Sequence, residues 1–236
     1  IAAFIAEPIQ GAGGVIVPPD SYWPEVSRIL KARDILFISD EVICGFGRTG
    51  SLFGCETLGT KPDLITFAKA VTNGFQPLGG VLVSDKIASV ITAKGGEFAH
   101  GFTYSGHPIA CSAAMATLDI MQSENIFDRV RDHAAPYMQK RWAELGEHPI
   151  VGHTRGLGMF GSMELVRNKE TRERLAPDQI SGGICRDLAI ENGLVMRAVG
   201  DSMIISPPLI CTDAEIDTLI ERATKALDLT AERFSV

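Results

Sequence analysis

Three apolar runs in the first third of the chain each end on an ionisable residue: Ile1–Glu7 (IAAFIAE), Ile35–Asp40 (ILFISD) and Leu64–Lys69 (LITFAK). Near-continuous apolar runs of this length read as parallel strands buried on both faces, because a half-exposed strand would alternate apolar and polar residues instead. Ligands of such sheets bind in the crevice beyond the carboxyl ends of the strands. The carboxylates of Glu7 and Asp40 and the amine of Lys69 are therefore expected to converge at one sheet edge. Charges placed there are costly to bury without partners, so a ligand or water has to account for them. By position alone, ordinary strand-end residues facing solvent explain the pattern as well.

Pyridoxal phosphate would account for two of the three groups at once. Its aldehyde bonds a lysine amine, and its ring nitrogen needs an aspartate to stay protonated and draw electrons. Lys69 and Asp40 fit those two roles.

The neighbouring residues carry a resemblance. The segments Ala6–Gly14 (AEPIQGAGG), Ser39–Gly50 (SDEVICGFGRTG), Phe67–Ala70 (FAKA) and His100–Pro108 (HGFTYSGHP) resemble the class III aminotransferases in order and spacing. Arg155–Met159 (RGLGM) and Met203–Leu209 (MIISPPL) extend the resemblance over nearly the whole chain, and within the family it is nearest to the omega-transaminases that use pyruvate. The resemblance implies an α/β fold of the pyridoxal-phosphate transferase fold type I. Residues 1–118 would be the C-terminal part of the large cofactor domain, the later half of a mostly parallel, three-layer sheet domain, and 119–236 a smaller C-terminal α/β domain. It implies Lys69 as the lysine that bonds the cofactor, Asp40 as the partner of the ring nitrogen and Val42 as packing on one ring face. Thr103, with the backbone N–H near Phe102, resembles a loop that reaches the cofactor phosphate of a neighbouring subunit, so a homodimer or a tetramer of dimers is implied.

Two departures bear on specificity. Many family members carry an arginine three residues before Pro-Pro-Leu that binds a substrate carboxylate and can pair with the glutamate equivalent to Glu7; this chain has Ile204. Arg197, in the segment VMRAVGD, stands where the pyruvate-using members keep a mobile arginine. Ile43 replaces a glutamine common in relatives. The resulting expectation is transfer of an amino group from an amine or amino acid to a 2-oxo acid, pyruvate by resemblance. Rival readings are an aminomutase of the same family, which would need no oxo-acid co-substrate, and a subunit that holds cofactor without turnover. Intact Lys69 and Asp40 speak against the latter.

Composition narrows the partners. With 236 residues, 45% apolar and 22% charged, the chain has the makeup of a soluble globular protein with a substantial core. A formal charge of -7, from 22 basic and 29 acidic residues, and scattered Lys and Arg argue against a nucleic-acid surface. The five cysteines show no C-x-x-C spacing, so neither a zinc ribbon nor a disulfide framework is indicated, and a reducing, cytoplasmic setting is expected. No leader pattern or membrane-length apolar run appears. Ile1 already lies inside a strand pattern, and the phosphate-binding and ring-stacking segments the resemblance places earlier are absent, so the chain reads as a piece of something longer.

The remaining pattern alternates strand and helix: helix 22–33, strand 80–84, a helix through 110–121 opened by His107-Pro108, then helix 126–145, strand 158–165, helix 180–192 and a closing helix 213–229. Gly45–Gly50 (GFGRTG) matches a dinucleotide-binding glycine pattern, but Gly and Pro break the helix it should open and Asp40 precedes it rather than following. His100 and His107 lack partners at metal-ligand spacing and read as loop and helix-start residues. Ser105 has no nucleophile-elbow context. Met115 and Met121 read as core packing, and the charged stretch 167–174 as a solvated surface.

Overall fold

The computed structural model describes residues 1–178 and 180–236. They form two compact units, Ile1–Ile9 with Pro18–Phe127 and Gln10–Val17 with Asp128–Val236. The division drawn near residue 118 from sequence falls inside a helix.

The first unit holds, in chain order, β1 (Ala3–Ala6), α1 (Tyr22–Ala32), β2 (Leu36–Asp40), α2 (Gly54–Thr57), β3 (Leu64–Phe67), β4 (Gly80–Val83), α3 (Asp85–Lys94) and α4 (Pro108–Ser123). The sheet order is β1-β2-β3-β4, with the first three strands parallel and β4 antiparallel to β3. Trp23, Val26 and Leu30 recur on one face of α1, the spacing of an amphipathic helix, and pack with Phe4, Ala6, Ile35, Phe37 and Leu58. The Trp23 ring lies 5.3 Å from that of Phe37, and its Nε1–H donates to the Pro8 carbonyl at 3.0 Å, which fixes the exit of β1 beside Glu7. The sequence pattern did not mark the helices α2 and α3: α2 is four residues long, and α3, although it carries Ile87, Val90 and Ile91 at helical spacing, buries none of its residues fully. In α4, Met121 is buried as expected but Met115 is 59% exposed. Its position in an Ala-rich helix gave no sign of which face would turn outward.

The second unit contains the 10–17 loop, closed by a bridge between Gln10 and Ile16. The chain enters it through α5 (Ile126–Arg129), followed by a π-helical turn (Val130–Ala134) and α6 (Ala135–Glu144). The single helix expected over 126–145 is thus interrupted. Pro136 has no N–H to give to the preceding turn and would clash with its carbonyl, so the ladder widens, and the Ala135 N–H reaches back to the Val130 carbonyl.

Then come β5 (Val151–Gly156), β6 (Gly161–Asn168), β7 (Glu173–Arg174), α7 (Ser181–Glu191), β8 (Arg197–Val199), β9 (Ser202–Ile205) and α8 (Asp213–Phe234). The antiparallel sheet runs β5-β6-β9-β8, with β7 beside β6. The strand expected at 158–165 begins later because residues 157–160 form the turn from β5, a strand the sequence reading did not anticipate. Trp142, Phe160, Met163, Met203, Ile216 and Leu227 are fully buried in this unit. Trp142 lies flat on Gly161, where a Cβ would stand 2.8 Å from the indole nitrogen. At the start of α8, Thr212 Oγ1 accepts from the Glu215 N–H and Glu215 Oε2 accepts from the Thr212 N–H, a capping box that explains why the helix starts there. Among the described residues no helix is long and apolar enough to cross a membrane.

Candidate active site

The strand register decides which charges meet. Ala6 pairs with Ser39 and Asp40 with Thr66, all in parallel ladders. The next residue after Ala6 is Glu7, and Lys69 follows closely after Thr66, so Glu7, Asp40 and Lys69 leave the sheet at the same carboxyl edge. Asp40 is half-buried, and its Oδ1 accepts the Val42 N–H at 3.1 Å. Among the described residues no hydrogen bond engages Oδ2, which leaves an acceptor for an N–H from a ligand. Lys69 is exposed, and its ammonium has no hydrogen bond or ion pair among the described residues.

The backbone at Lys69 is unusual. Its φ is 48°, in the left-handed region that non-glycine residues seldom occupy, and it opens a short 3-10 turn (Lys69–Val71) that α4 contacts. Residues held in that region cost energy and persist where the surroundings over-determine them, commonly at functional sites. The turn forms one wall of an open cleft whose lining includes Ala68, Lys69, Thr72, Gln76 and Pro77. Thr72, 1% exposed, donates its hydroxyl to the Gln76 carbonyl and closes that lining.

Next to Asp40 stands a residue to which the sequence reading gave no role. Glu41 is fully buried. Its carboxylate accepts N–H bonds from Gly54 and Cys55, each at 2.7 Å, and the Ser39 hydroxyl at 3.0 Å. Its own N–H donates to Thr66 O at 2.9 Å, and its carbonyl accepts from the Gly45 N–H at 2.9 Å. Burial pushes the Cys44 thiol up to about 12; its hydrogen bond to Ile9 O opposes this, and the carboxylates of Glu41, Glu7 and Asp40 reinforce it. The same thiol therefore senses both Glu7 and Asp40. Cys55 is likewise raised to about 12, first by burial and then by Glu41.

The other expected site residues are distributed as follows. Val42 is half-buried at the neck of the loop after β2. The glycines of Gly45–Gly50 lie in irregular turns and open no helix before Gly54, contrary to what a dinucleotide-binding loop requires. Phe102 and Thr103 are exposed, and the Phe102 N–H donates within its own loop to Ser105 Oγ at 2.9 Å. His107 caps α4 by accepting the Ile109 N–H at its Nδ1, 3.3 Å away.

In the second unit, Arg197 begins β8, exposed and paired in register with Ile204 of β9. Among the described residues its guanidinium makes no hydrogen bond or ion pair. The turn between β8 and β9 is held against the start of α7: Ser181 donates its hydroxyl to Asp201, and a Cβ on Gly182 would meet Gly200 O at 2.1 Å. Ile204, the position where the resemblance implied an arginine in many family members, is 9% exposed and part of an apolar interior.

Two arginines escaped the sequence reading. Arg155 donates Nε–H to the carbonyls of Gly14 and Val15 (2.9 and 3.1 Å) and pairs with Glu164 at 2.8 Å, pinning the 10–17 loop. Arg129 donates to the carbonyls of Leu209, Ile210 and Cys211 just past Pro-Pro-Leu. The only hint of the former was Arg155 within a recognisable motif, and nothing local marked the latter.

Known proteins match this arrangement over the whole chain. Residues 1–227 match the family described as aminotransferase class-III. A putrescine–pyruvate aminotransferase of Pseudomonas aeruginosa is 58% identical over 231 residues, 98% of this chain and 50% of that protein. The crystal structure of an (S)-enantioselective omega-transaminase from Thermomicrobium roseum superposes with a TM-score of 0.93 at 45% identity, covering 98% of this chain and 51% of that one. The omega-transaminase of Pseudomonas jessenii in complex with PMP gives a TM-score of 0.93 at 37% identity, covering 100% and 52%. The chain thus spans about half the length of the relatives it matches. Its fold is that of the fold type I pyridoxal-phosphate transferases, and the chain belongs to the class III aminotransferase family.

Proposed function

We propose that this chain carries the lysine and aspartate of an aminotransferase that moves an amino group from an amine or amino acid to a 2-oxo acid, with pyruvate as acceptor and pyridoxal phosphate as cofactor. The observation that carries the reading is the parallel-sheet edge at which Asp40 presents an unengaged Oδ2 and Lys69 an unengaged amine. When bound, pyridoxal phosphate supplies an aldehyde carbon for an amine and an electron-withdrawing ring. Asp40 would hold the ring nitrogen in its protonated form through Oδ2, while the Val42 N–H on Oδ1 keeps the carboxylate aimed. Val42 would pack on one ring face. Lys69 would hold the aldehyde carbon at rest and, displaced by the substrate amine, serve as the base that takes a proton from the substrate carbon.

Arg197 would bind the carboxylate of pyruvate or alanine. Its exposure and lack of a competing partner support that role, and the buried Ile204 removes the other arginine that could do so. Thr103 and the Phe102 N–H would reach the cofactor phosphate of a neighbouring subunit in a homodimer or tetramer of dimers. Their exposure on an outward loop supports this, with the Ser105 contact giving way on assembly. The pyruvate-using relative supports the acceptor, and five cysteines all free of disulfides support a cytoplasmic setting.

The test is spectroscopic. The cofactor-loaded protein should show a visible absorbance band that disappears on adding an amine and returns with pyruvate, and Lys69→Ala should abolish both changes. Turnover of an amine without any oxo acid would favour an aminomutase, and a band unresponsive to amines would refute transamination.

A further inference from the structure

We propose that Glu41 is the positioning residue of Asp40: a buried carboxylate that closes the loop after β2 on itself and thereby fixes where Asp40 points. The inference rests on the reading of Asp40 as the partner of the cofactor's ring nitrogen.

A fully buried carboxylate is retained only where its charge is matched, and Glu41 has three donors for it: the Gly54 and Cys55 N–H groups at 2.7 Å and Ser39 Oγ at 3.0 Å. The stretch from Val42 to Phe53 is irregular, with left-handed backbone at Phe46, Gly47 and Gly50. Most of its residues are nevertheless buried, an environment in which loops seldom satisfy their own backbone groups. Glu41 holds both ends of it. The Glu41 carbonyl takes the Gly45 N–H near the start, and its side chain takes the two N–H groups just past the end. The close fit is visible at Gly54, where a Cβ would stand 3.1 Å from Glu41 Oε2 and 2.8 Å from Cys44 Cβ. Only glycine lets that N–H come so near.

Asp40 and Val42 stand at the neck of this loop. Successive strand residues point to opposite faces, so anchoring the Glu41 side chain on one face fixes the direction of Asp40 on the other. The Glu41 N–H on Thr66 O is the bond that closes the Asp40–Thr66 pairing, the last step of the β2–β3 ladder. The Asp40 carboxylate is then held by the N–H of Val42, whose orientation Glu41 sets. Sub-ångström displacement of a reacting group is enough to slow catalysis, with 1 Å costing about 100-fold.

The experiment is a double-mutant cycle on the full-length, cofactor-loaded protein. It compares wild type, Glu41→Gln, Asp40→Asn and the double variant in the single-turnover amine half-reaction, with rates expressed per loaded site. Glu41→Gln should slow the step roughly 10- to 100-fold. In the Asp40→Asn background the same substitution should add little, because its effect passes through Asp40. Full multiplication of the two losses, or an unchanged rate per loaded site, would overturn the proposal and leave Glu41 a purely structural residue. Should Glu41→Gln fail to fold, Ser39→Ala removes one of the three donors and should give a smaller loss with the same disappearance in the Asp40→Asn background. A second readout uses the cofactor-free protein: the Asp40 carboxyl 13C resonance should shift and the Gly54 and Cys55 amides should lose exchange protection in Glu41→Gln. An unmoved Asp40 resonance overturns the positioning role whether or not the protein transaminates, whereas a shifted resonance in a protein inert to amines refutes only the proposed function.

Discussion

The strain at Lys69 can be measured separately from its chemistry. Lys69→Ala and Lys69→Gly both delete the amine, and because Lys69 is exposed and makes no ion pair, either deletion removes little native contact. They differ in backbone. At φ 48° a residue with a Cβ is disfavoured, by about 1–2 kcal/mol relative to the right-handed region, whereas glycine is not. Against that, glycine loses more conformational freedom on folding than alanine, by roughly 0.5–1 kcal/mol. The difference leaves Lys69→Gly the more stable variant by about 0.5–1 kcal/mol, the reverse of the order at an ordinary helix position. With a urea dependence of about 1–3 kcal/mol per molar, the midpoint of Lys69→Gly should lie a few tenths of a molar above that of Lys69→Ala. Both should lack the visible band and turnover. If Lys69→Ala proved the more stable, the left-handed backbone would not be present in solution, and the argument that the lysine is held under strain would fall.

Four further outcomes are expected. Arg197→Ala should weaken the pyruvate and alanine half-reactions by about 2–5 kcal/mol, roughly 30-fold to a few thousand-fold, while an amine without a carboxylate changes far less; equal losses would mean that Arg197 holds the fold. Asp40→Asn should slow proton abstraction much more than it weakens cofactor binding, and wild-type half-reaction rates would refute its role. Gly182→Ala, whose Cβ would stand 2.1 Å from Gly200 O, should lower stability by about 1–3 kcal/mol and disturb the β8–β9 hairpin that bears Arg197; calorimetry showing no change would refute the close approach. The Cys44 thiol, near 12 when folded against an ordinary value of 9.0, binds its proton more tightly in the folded state than in the unfolded. Its contribution is present below pH 9.0 and is lost as pH rises towards 12, at about 1.4 kcal/mol per unit, so Cys44→Ala should flatten the alkaline decline in denaturation midpoint.

What was legible in the sequence followed from local periodicity. The apolar runs ending in Glu7, Asp40 and Lys69 could be read as parallel strands whose ends share one edge. The burial expected on both faces is not what the structure shows: Ile5 is 58% exposed and every residue of β3 is only half-buried. Helix limits set by short-range chemistry were legible too: Pro108 at the start of α4, Asn192-Gly193 at the end of α7 and Thr212 before α8. What tertiary structure decided involves partners that local pattern cannot name. Arg155 meets Gly14 across 141 positions, and Arg129 meets Leu209 across 80. The 10–17 loop belongs with the second unit, although its sequence neighbours lie in the first. Glu41 looked like one more charge beside Asp40 until folding brought Gly54 and Cys55 to it. The left-handed backbone of Lys69 has no residue-type signal, since lysine does not favour that conformation and only the surrounding fold can impose it. Periodicity in the chain sets which face of an element is buried, but where a side chain's hydrogen bonds end is set by which distant segments the packed core brings within about 3 Å.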